Sequence, residues 1–183
     1  MMKVSTPSVR VLIAALLGLF CLPLTVSATS TNGTTYKVGM TAYNAVPEQT
    51  SSHPNITASG AFSNPTIVAA RSQDLGRQLP FGTVVQIVSD NPSGTCGSGL
   101  VGDLGYRVIA DTMNVKWHDK IDILLPQQAK LLNGKTANPA VIMGYCKNVT
   151  IKVVGHVSIA QIPKTQSQLA AAIDTASDFA VAK

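Results

Sequence analysis

Short apolar runs rich in Val, Ile and Tyr recur along most of this chain, separated by Gly, Pro and Asn. Runs of this kind are typical of half-buried strands, and Gly, Pro and Asn favour the turns between them. The pattern therefore predicts a mostly β domain. Its expected strands span residues 35–43, 67–70, 83–88, 106–110, 121–125, 140–145 and 149–157.

Two segments have helical signals instead. Pro126 suits the first position of a helix over residues 126–132, with Asn133-Gly134 as its stop. Near the end, Thr165 and Gln168 form a possible capping box, and apolar residues then recur at helical spacing. We expect residues 161–183 to be a helical tail.

The first 28 residues have the pattern of a secretory signal peptide. Lys3 and Arg10 precede an apolar run over residues 11–24, and Val26-Ser27-Ala28 matches a cleavage site. The run is too short for a convincing membrane span, and no later segment approaches the length a span needs. We expect cleavage after Ala28, export to the periplasm or medium, and one domain over residues 29–160.

Export changes the interpretation of the cysteines. Cys21 leaves with the signal, so Cys96 and Cys146 remain as an even pair in an oxidising compartment. A disulfide is the favoured interpretation. The alternative, a metal site, has no CxxC partner or nearby His to support it.

The net charge and the absence of several short motifs argue against some classes of function. Losing Lys3 and Arg10 lowers the formal net charge from +5 to +3, and no Lys/Arg cluster indicates nucleic-acid binding. The chain has no HExxH, P-loop, dinucleotide or GxSxG motif. We therefore expect a monomer without cofactor or metal.

Two carboxylates stand out against this background. Asp111 follows the apolar residues 108–110, and Asp122 lies between Ile121 and Ile123. A carboxylate in a buried strand is unfavourable unless it is paired or hydrogen-bonded, and burial raises its pKa. Asp122 has the more apolar neighbours, so it is the better candidate for a general acid, with Asp111 as an orienting partner.

Four motifs in order strengthen this interpretation: Thr41-Ala42-Tyr43, residues 57–60 (Thr-Ala-Ser-Gly), residues 79–83 (Leu-Pro-Phe-Gly-Thr) and residues 110–122, from Ala-Asp-Thr to Ile-Asp. Together they resemble the bacterial three-aspartate domain, which is related to the double-psi β-barrel of MltA-type lytic transglycosylases. The eleven-residue spacing between Asp111 and Asp122 matches that family. Met113-Asn114 and Trp117-His118 replace the family's Gly-Gly and Lys-Gly, and Asp74 stands later than the family's other Asp.

The resemblance implies a six-stranded double-psi barrel acting on peptidoglycan. Lytic cleavage requires one carboxyl that first donates and then accepts a proton, the role expected for Asp122. Five further residues are candidates for contacting the glycan, in a groove that also holds both carboxylates: Tyr43, Thr57, Ser59, Gly60 and Trp117.

Other interpretations remain open from the sequence. The substitutions at 113–114 and 117–118 are compatible with a non-catalytic glycan-binding or envelope-interaction module. Either Asp is also compatible with a scaffold role, accepting backbone N–H bonds. A secreted barwin- or expansin-like barrel is a further alternative, although one disulfide is few for that class.

Overall fold

The computed structural model describes residues 33–89 and 96–181; the predicted signal peptide lies outside them. Six strands form a closed barrel and two short strands form a separate hairpin. The barrel strands are β1 (Thr35–Tyr43), β2 (Val68–Arg71), β3 (Thr83–Ser89), β4 (Tyr106–Thr112), β5 (Lys120–Leu124) and β8 (Cys146–His156). The hairpin pairs β6 (Ala129–Lys130) with β7 (Thr136–Ala137). The helices are α1 (Ser98–Val101), α2 (Pro139–Met143) and α3 (Gln166–Val181).

The order of the strands around the barrel is β1-β5-β2-β4-β3-β8. The pairs β1-β5 and β2-β4 are parallel, and the other pairs are antiparallel. If β1, β2 and β3 are exchanged for β4, β5 and β8, respectively, the same pairs of strands remain neighbours. This symmetry is expected for the two interlocked halves of a double-psi barrel. The predicted fold class is confirmed.

Alternation along the strands divides the apolar residues into two clusters. All six barrel strands contribute to the first, which fills the interior and includes Met40, Ile109, Ile121 and Ile151. The second lies on the outer wall, where Val68, Ala70 and Val108 belong to one cluster with Leu169 and Ile173 of α3, which contacts β4 and β8. The helical tail is therefore packed against the barrel.

The start of α3 follows the predicted capping box in part. The Gln168 backbone N–H donates to the Thr165 hydroxyl at 3.2 Å, while the Gln168 side chain accepts from the Lys164 N–H at 2.9 Å. Gln166 also links α3 to the barrel. Its side-chain amide accepts a hydrogen bond from the Tyr106 N–H and donates one to the Tyr106 C=O. These contacts fix the orientation in which Leu169 reaches the outer wall.

Two secondary-structure predictions are wrong. Residues 126–132 are not a helix, because Asn133-Gly134 forms the turn of the β6-β7 hairpin, with Gly134 at φ +82°. Residues 140–145 are not a strand, because Asn138 caps α2 by accepting the Ala140 N–H, with Pro139 at the first turn. In the first segment the expected helix stop is a hairpin turn, and in the second the helix cap outweighs the apolar pattern.

The predicted disulfide is confirmed. Cys96 and Cys146 are bonded with their Cα atoms 5.7 Å apart, which joins the segment before α1 to the start of β8. Among the residues described here, no helix is long and apolar enough to cross a membrane.

Candidate functional site

A row of side chains crosses four neighbouring strands on the outer wall of the barrel. Asp111 on β4 and Asp122 on β5 both pair with Ala70 on β2, and Asp122 also pairs with Thr41 on β1. Directly opposed residues point to the same face of a sheet. The two carboxylates therefore lie on one face, on the strands to either side of Ala70. Two strand spacings put their backbones about 10 Å apart.

A bulge in β4 gives Asp111 this orientation. The register shifts so that Ala69 pairs with Ile109 while Ala70 pairs with Asp111, leaving Ala110 as an extra residue. Without the bulge, strict alternation would turn Asp111 towards the barrel interior among Ile109 and Ile121. The bulge thus aims this carboxylate at the outer face, a common use of bulges beside functional sites.

Asp122 has the environment expected of a proton donor. Burial raises the pKa of its carboxyl to about 6, and the nearby charge of Asp111 acts in the same direction, whereas a hydrogen bond from Thr41 opposes them. The Thr41 hydroxyl donates to Oδ1 at 2.8 Å. Oδ2 accepts no hydrogen bond from the residues that the structure describes. Since no fully buried side-chain oxygen among those residues lacks a partner, Oδ2 keeps some exposure to solvent.

Asp111 is held differently. Its Oδ1 accepts the backbone N–H groups of Ala58 and Thr112, both at 2.9 Å, and its Oδ2 accepts the Tyr43 hydroxyl at 3.0 Å. Three donors, two of them from distant parts of the chain, fix the position of this carboxyl. Asp111 is therefore held in place, and it also ties down the loop containing Ala58.

Tyr43 lies beside both carboxyl groups. Burial, followed by the charge of Asp111 and the hydrogen bond to it, raises the pKa of the Tyr43 phenol well above its ordinary value. The hydroxyl therefore keeps its proton and donates to Asp111. With 7% of its surface exposed, Tyr43 presents only a small part of its ring to a ligand.

A groove of about 670 Å³ runs over this row of side chains. That volume is within the usual range for a ligand site. Both carboxylates and three of the five predicted glycan contacts line it, and Ser59 and Gly60 do not. Its lining residues are Tyr43, Glu48, Gln49, Thr50, Ser51, Ile56, Thr57, Ala58, Ala70, Asp111, Thr112, Met113, Asn114, Lys116, Trp117 and Asp122.

The Thr57 loop forms part of the groove wall, but its polar groups are largely used internally. The Thr57 hydroxyl bonds the Ser59 hydroxyl at 3.0 Å and donates to the Ala61 carbonyl at 3.1 Å. Gly60 closes the turn at φ +86°, a conformation that favours glycine. The loop contacts the site through the Ala58 N–H, which donates a hydrogen bond to Asp111.

Trp117 is 40% exposed and lies at the edge of the groove. The ammonium groups of Lys116 and Lys120 lie over its ring, at 5.2 Å and 4.0 Å from the centroid. The indole therefore contacts two cations as well as the groove.

The remaining carboxylates considered from the sequence lie outside the groove lining. Asp74 accepts the Asp119 backbone N–H at 2.9 Å and lies 3.9 Å from the His118 ring. Desolvation opposes ionisation, but hydrogen bonds from Ser72 and the backbone, with the His118 charge, lower the pKa of Asp74 overall. The hydrogen bond between the Asp119 backbone and Asp74 fixes the turn before β5.

Sequence reasoning did not single out Thr41, Ala70 or Lys116 as members of the site. Thr41 could have been identified from the sequence, because it is two residues from Tyr43 and lies on the same face of β1. Ala70 could not, because its place between the carboxylates depends on strand order and on the bulge.

No family model matches this sequence, and neither does any curated protein.

Proposed function

We propose that this protein is a secreted cell-wall enzyme that cleaves peptidoglycan as a lytic transglycosylase, with Asp122 as its single general acid and base. The three-aspartate motifs support this proposal at the level of sequence. The main support is the environment of Asp122. Its carboxyl is largely desolvated, has a pKa of about 6 and lines a groove. A catalytic acid near neutral pH needs these properties.

The reaction needs one carboxyl acting twice. Protonated Asp122 donates its proton to the glycosidic oxygen as the bond from that oxygen to the anomeric carbon breaks. The resulting carboxylate then accepts the proton of the same sugar's 6-hydroxyl, whose oxygen bonds the anomeric carbon. The carboxyl returns to its starting state and no water is consumed, unlike in two-carboxylate hydrolysis.

Asp111 takes the supporting role. Its charge raises the pKa of Asp122 and stabilises positive charge developing on the sugar, while its three hydrogen bonds keep it in place. Ala70 leaves space for the substrate between the carboxylates.

Export fits the rest of the chain. The Cys96–Cys146 disulfide is typical of proteins in an oxidising compartment, and the amino-terminal pattern predicts a cleaved signal peptide. A cell-wall polymer is accessible to a protein in that location.

The test is product analysis with a matched pair of variants. Purified peptidoglycan is incubated with wild type, Asp122→Asn and Asp119→Asn, and soluble products are identified by mass spectrometry. Wild type and Asp119→Asn are expected to release products with 1,6-anhydro ends, one water lighter than hydrolysis products. Asp122→Asn is expected to lose orders of magnitude in rate, because its amide cannot transfer the proton. Asp119 is a suitable control because it is exposed and its φ of +50° suits Asn.

A second candidate function is a non-catalytic glycan-binding module. It is favoured by the three donors on Asp111, since a carboxylate held in this way is sufficient as a scaffold. Retained glycan binding by wild type with no products would support the module and contradict the enzyme. Products with ordinary reducing ends would indicate hydrolysis and a second catalytic carboxylate.

A further inference from the structure

Two lysines and two aromatic residues form a stack at one end of the groove. The Lys120 ammonium lies 4.0 Å from the centre of the Trp117 ring and 4.8 Å from the centre of the Tyr145 ring. The Lys116 ammonium lies 5.2 Å from the Trp117 ring. Trp117 and Tyr145 are 40% and 49% exposed, so the stack is at the surface. We call these four residues the lysine–aromatic stack.

The backbone leaves room for this arrangement. Gly39 on β1 pairs with Lys120 on β5. A Cβ atom at Gly39 would lie 2.5 Å from Cε2 of Tyr145. The absence of a side chain at Gly39 thus leaves the space that the Tyr145 ring occupies next to β1.

The stack continues the groove along the strand direction. Lys120 and Asp122 are two residues apart on β5, so they share one face of the strand, with Cα atoms about 6.6 Å apart. Lys116 and Trp117 are themselves part of the groove lining. A chain-like ligand lying over Asp122 and extending towards the start of β5 would therefore meet both ammonium groups.

Neither lysine is neutralised by a carboxylate. The one ion pair within 4.0 Å among the described residues joins His118 and Asp74. Aromatic rings attract a cation and hold it in place, but they leave its charge and its N–H donors available. The groove thus has Asp111 and Asp122 over the strands, Glu48 elsewhere in its lining, and at one end two lysines without an ion pair among the described residues.

We propose that the lysine–aromatic stack is an anion subsite, in which Lys116 and Lys120 bind a carboxylate carried by the glycan next to the bond that is cleaved. This inference rests on the proposed function and specifies its substrate class. The carboxylate comes either from an acidic substituent of the sugar itself or from a peptide attached to it. An ammonium group suits both sources, since it binds as a point charge without demanding one geometry.

The experiment compares saccharides that carry their carboxylates on the sugar, on an attached peptide, or not at all. Isothermal titration calorimetry in the Asp122→Asn background, which prevents turnover, measures binding of three oligosaccharides of alternating N-acetylglucosamine and N-acetylmuramic acid. The first has free sugar carboxylates, the second has them reduced to alcohols, and the third has them amide-linked to a short peptide with its own free carboxylates.

The expected result is a preference of about tenfold for at least one carboxylated saccharide over the reduced one. Adding Lys120→Met should remove that preference, while Lys152→Met, at an exposed lysine of β8, should retain it. A preference limited to the first saccharide identifies the sugar carboxylate as the source, and one limited to the third identifies the peptide. Lys116→Met provides a second variant if Lys120→Met does not fold, and unchanged affinity for the reduced saccharide verifies folding.

Two failures are distinguishable. Equal affinity for all three saccharides, with cleavage by the wild type intact, overturns the anion subsite and leaves the enzyme proposal standing. No cleavage by the wild type, together with no binding of any saccharide, overturns the proposed function and with it the subsite.

Discussion

Replacing Asp122 with Asn is expected to stabilise the fold at neutral and alkaline pH. In the folded protein the pKa of this carboxyl is raised from 3.8 to about 6, chiefly by burial. Since each pKa unit corresponds to about 1.4 kcal/mol, the ionised form is disfavoured by the fold by about 3 kcal/mol. The Asn amide has no such penalty, and its oxygen still accepts the Thr41 hydroxyl.

The direction with pH follows from proton binding. Below about pH 3.8 the carboxyl is protonated in both the folded and the unfolded chain, so it has no effect on stability. Between that pH and about 6 the folded state keeps a proton that the unfolded state releases, so the free energy of unfolding falls as pH rises. Above about pH 6 the full penalty is present and constant.

The assay is urea unfolding followed by circular dichroism at several pH values between 3.5 and 8, for wild type and Asp122→Asn. The difference in unfolding free energy should be near zero at the acidic end and approach about 3 kcal/mol in favour of the variant at pH 8. Asp119→Asn controls for the loss of one negative charge. A difference that does not change with pH, or a variant less stable at pH 8, would refute the desolvated acid.

Three further changes have defined outcomes. Replacing Cys96 and Cys146 with Ser removes a crosslink between residues 50 positions apart and should lower the free energy of unfolding by about 4 kcal/mol; an unchanged value in non-reducing urea titrations contradicts this. Thr41→Val removes the hydrogen bond that lowers the pKa of Asp122, so the alkaline limb of the kcat/KM profile should move to higher pH; a shift downward counts against the assignment. Leu169→Ala, at a fully buried position of α3, should destabilise the protein by about 2–5 kcal/mol in thermal or urea unfolding, whereas a loosely attached tail would make it nearly neutral.

The strand pattern of the barrel was determined by the sequence alone. All six barrel strands were predicted near their observed places, and β1 was predicted with the bounds it has, because alternation with period two is a local property of the chain. The disulfide could also be predicted from the sequence, because export leaves Cys96 and Cys146 as a pair. The local prediction failed at Asn133-Gly134, where the same residues that can stop a helix form a hairpin turn, and at Asn138-Pro139, where a helix cap outweighs the apolar pattern.

The apolar neighbours of Asp122 in the sequence indicated the more desolvated carboxyl, but tertiary structure alone decided which donors each aspartate receives. Asp111 receives three donors, two of them from distant segments, while Asp122 receives one, from Thr41, and keeps one oxygen without a donor. The bulge at Ala110 and the stack of Lys120 between Trp117 and Tyr145 likewise depend on which strands become neighbours. Strand order and register join residues dozens of positions apart. Hydrophobic alternation sets which face a residue prefers, but it does not specify the partner it meets there.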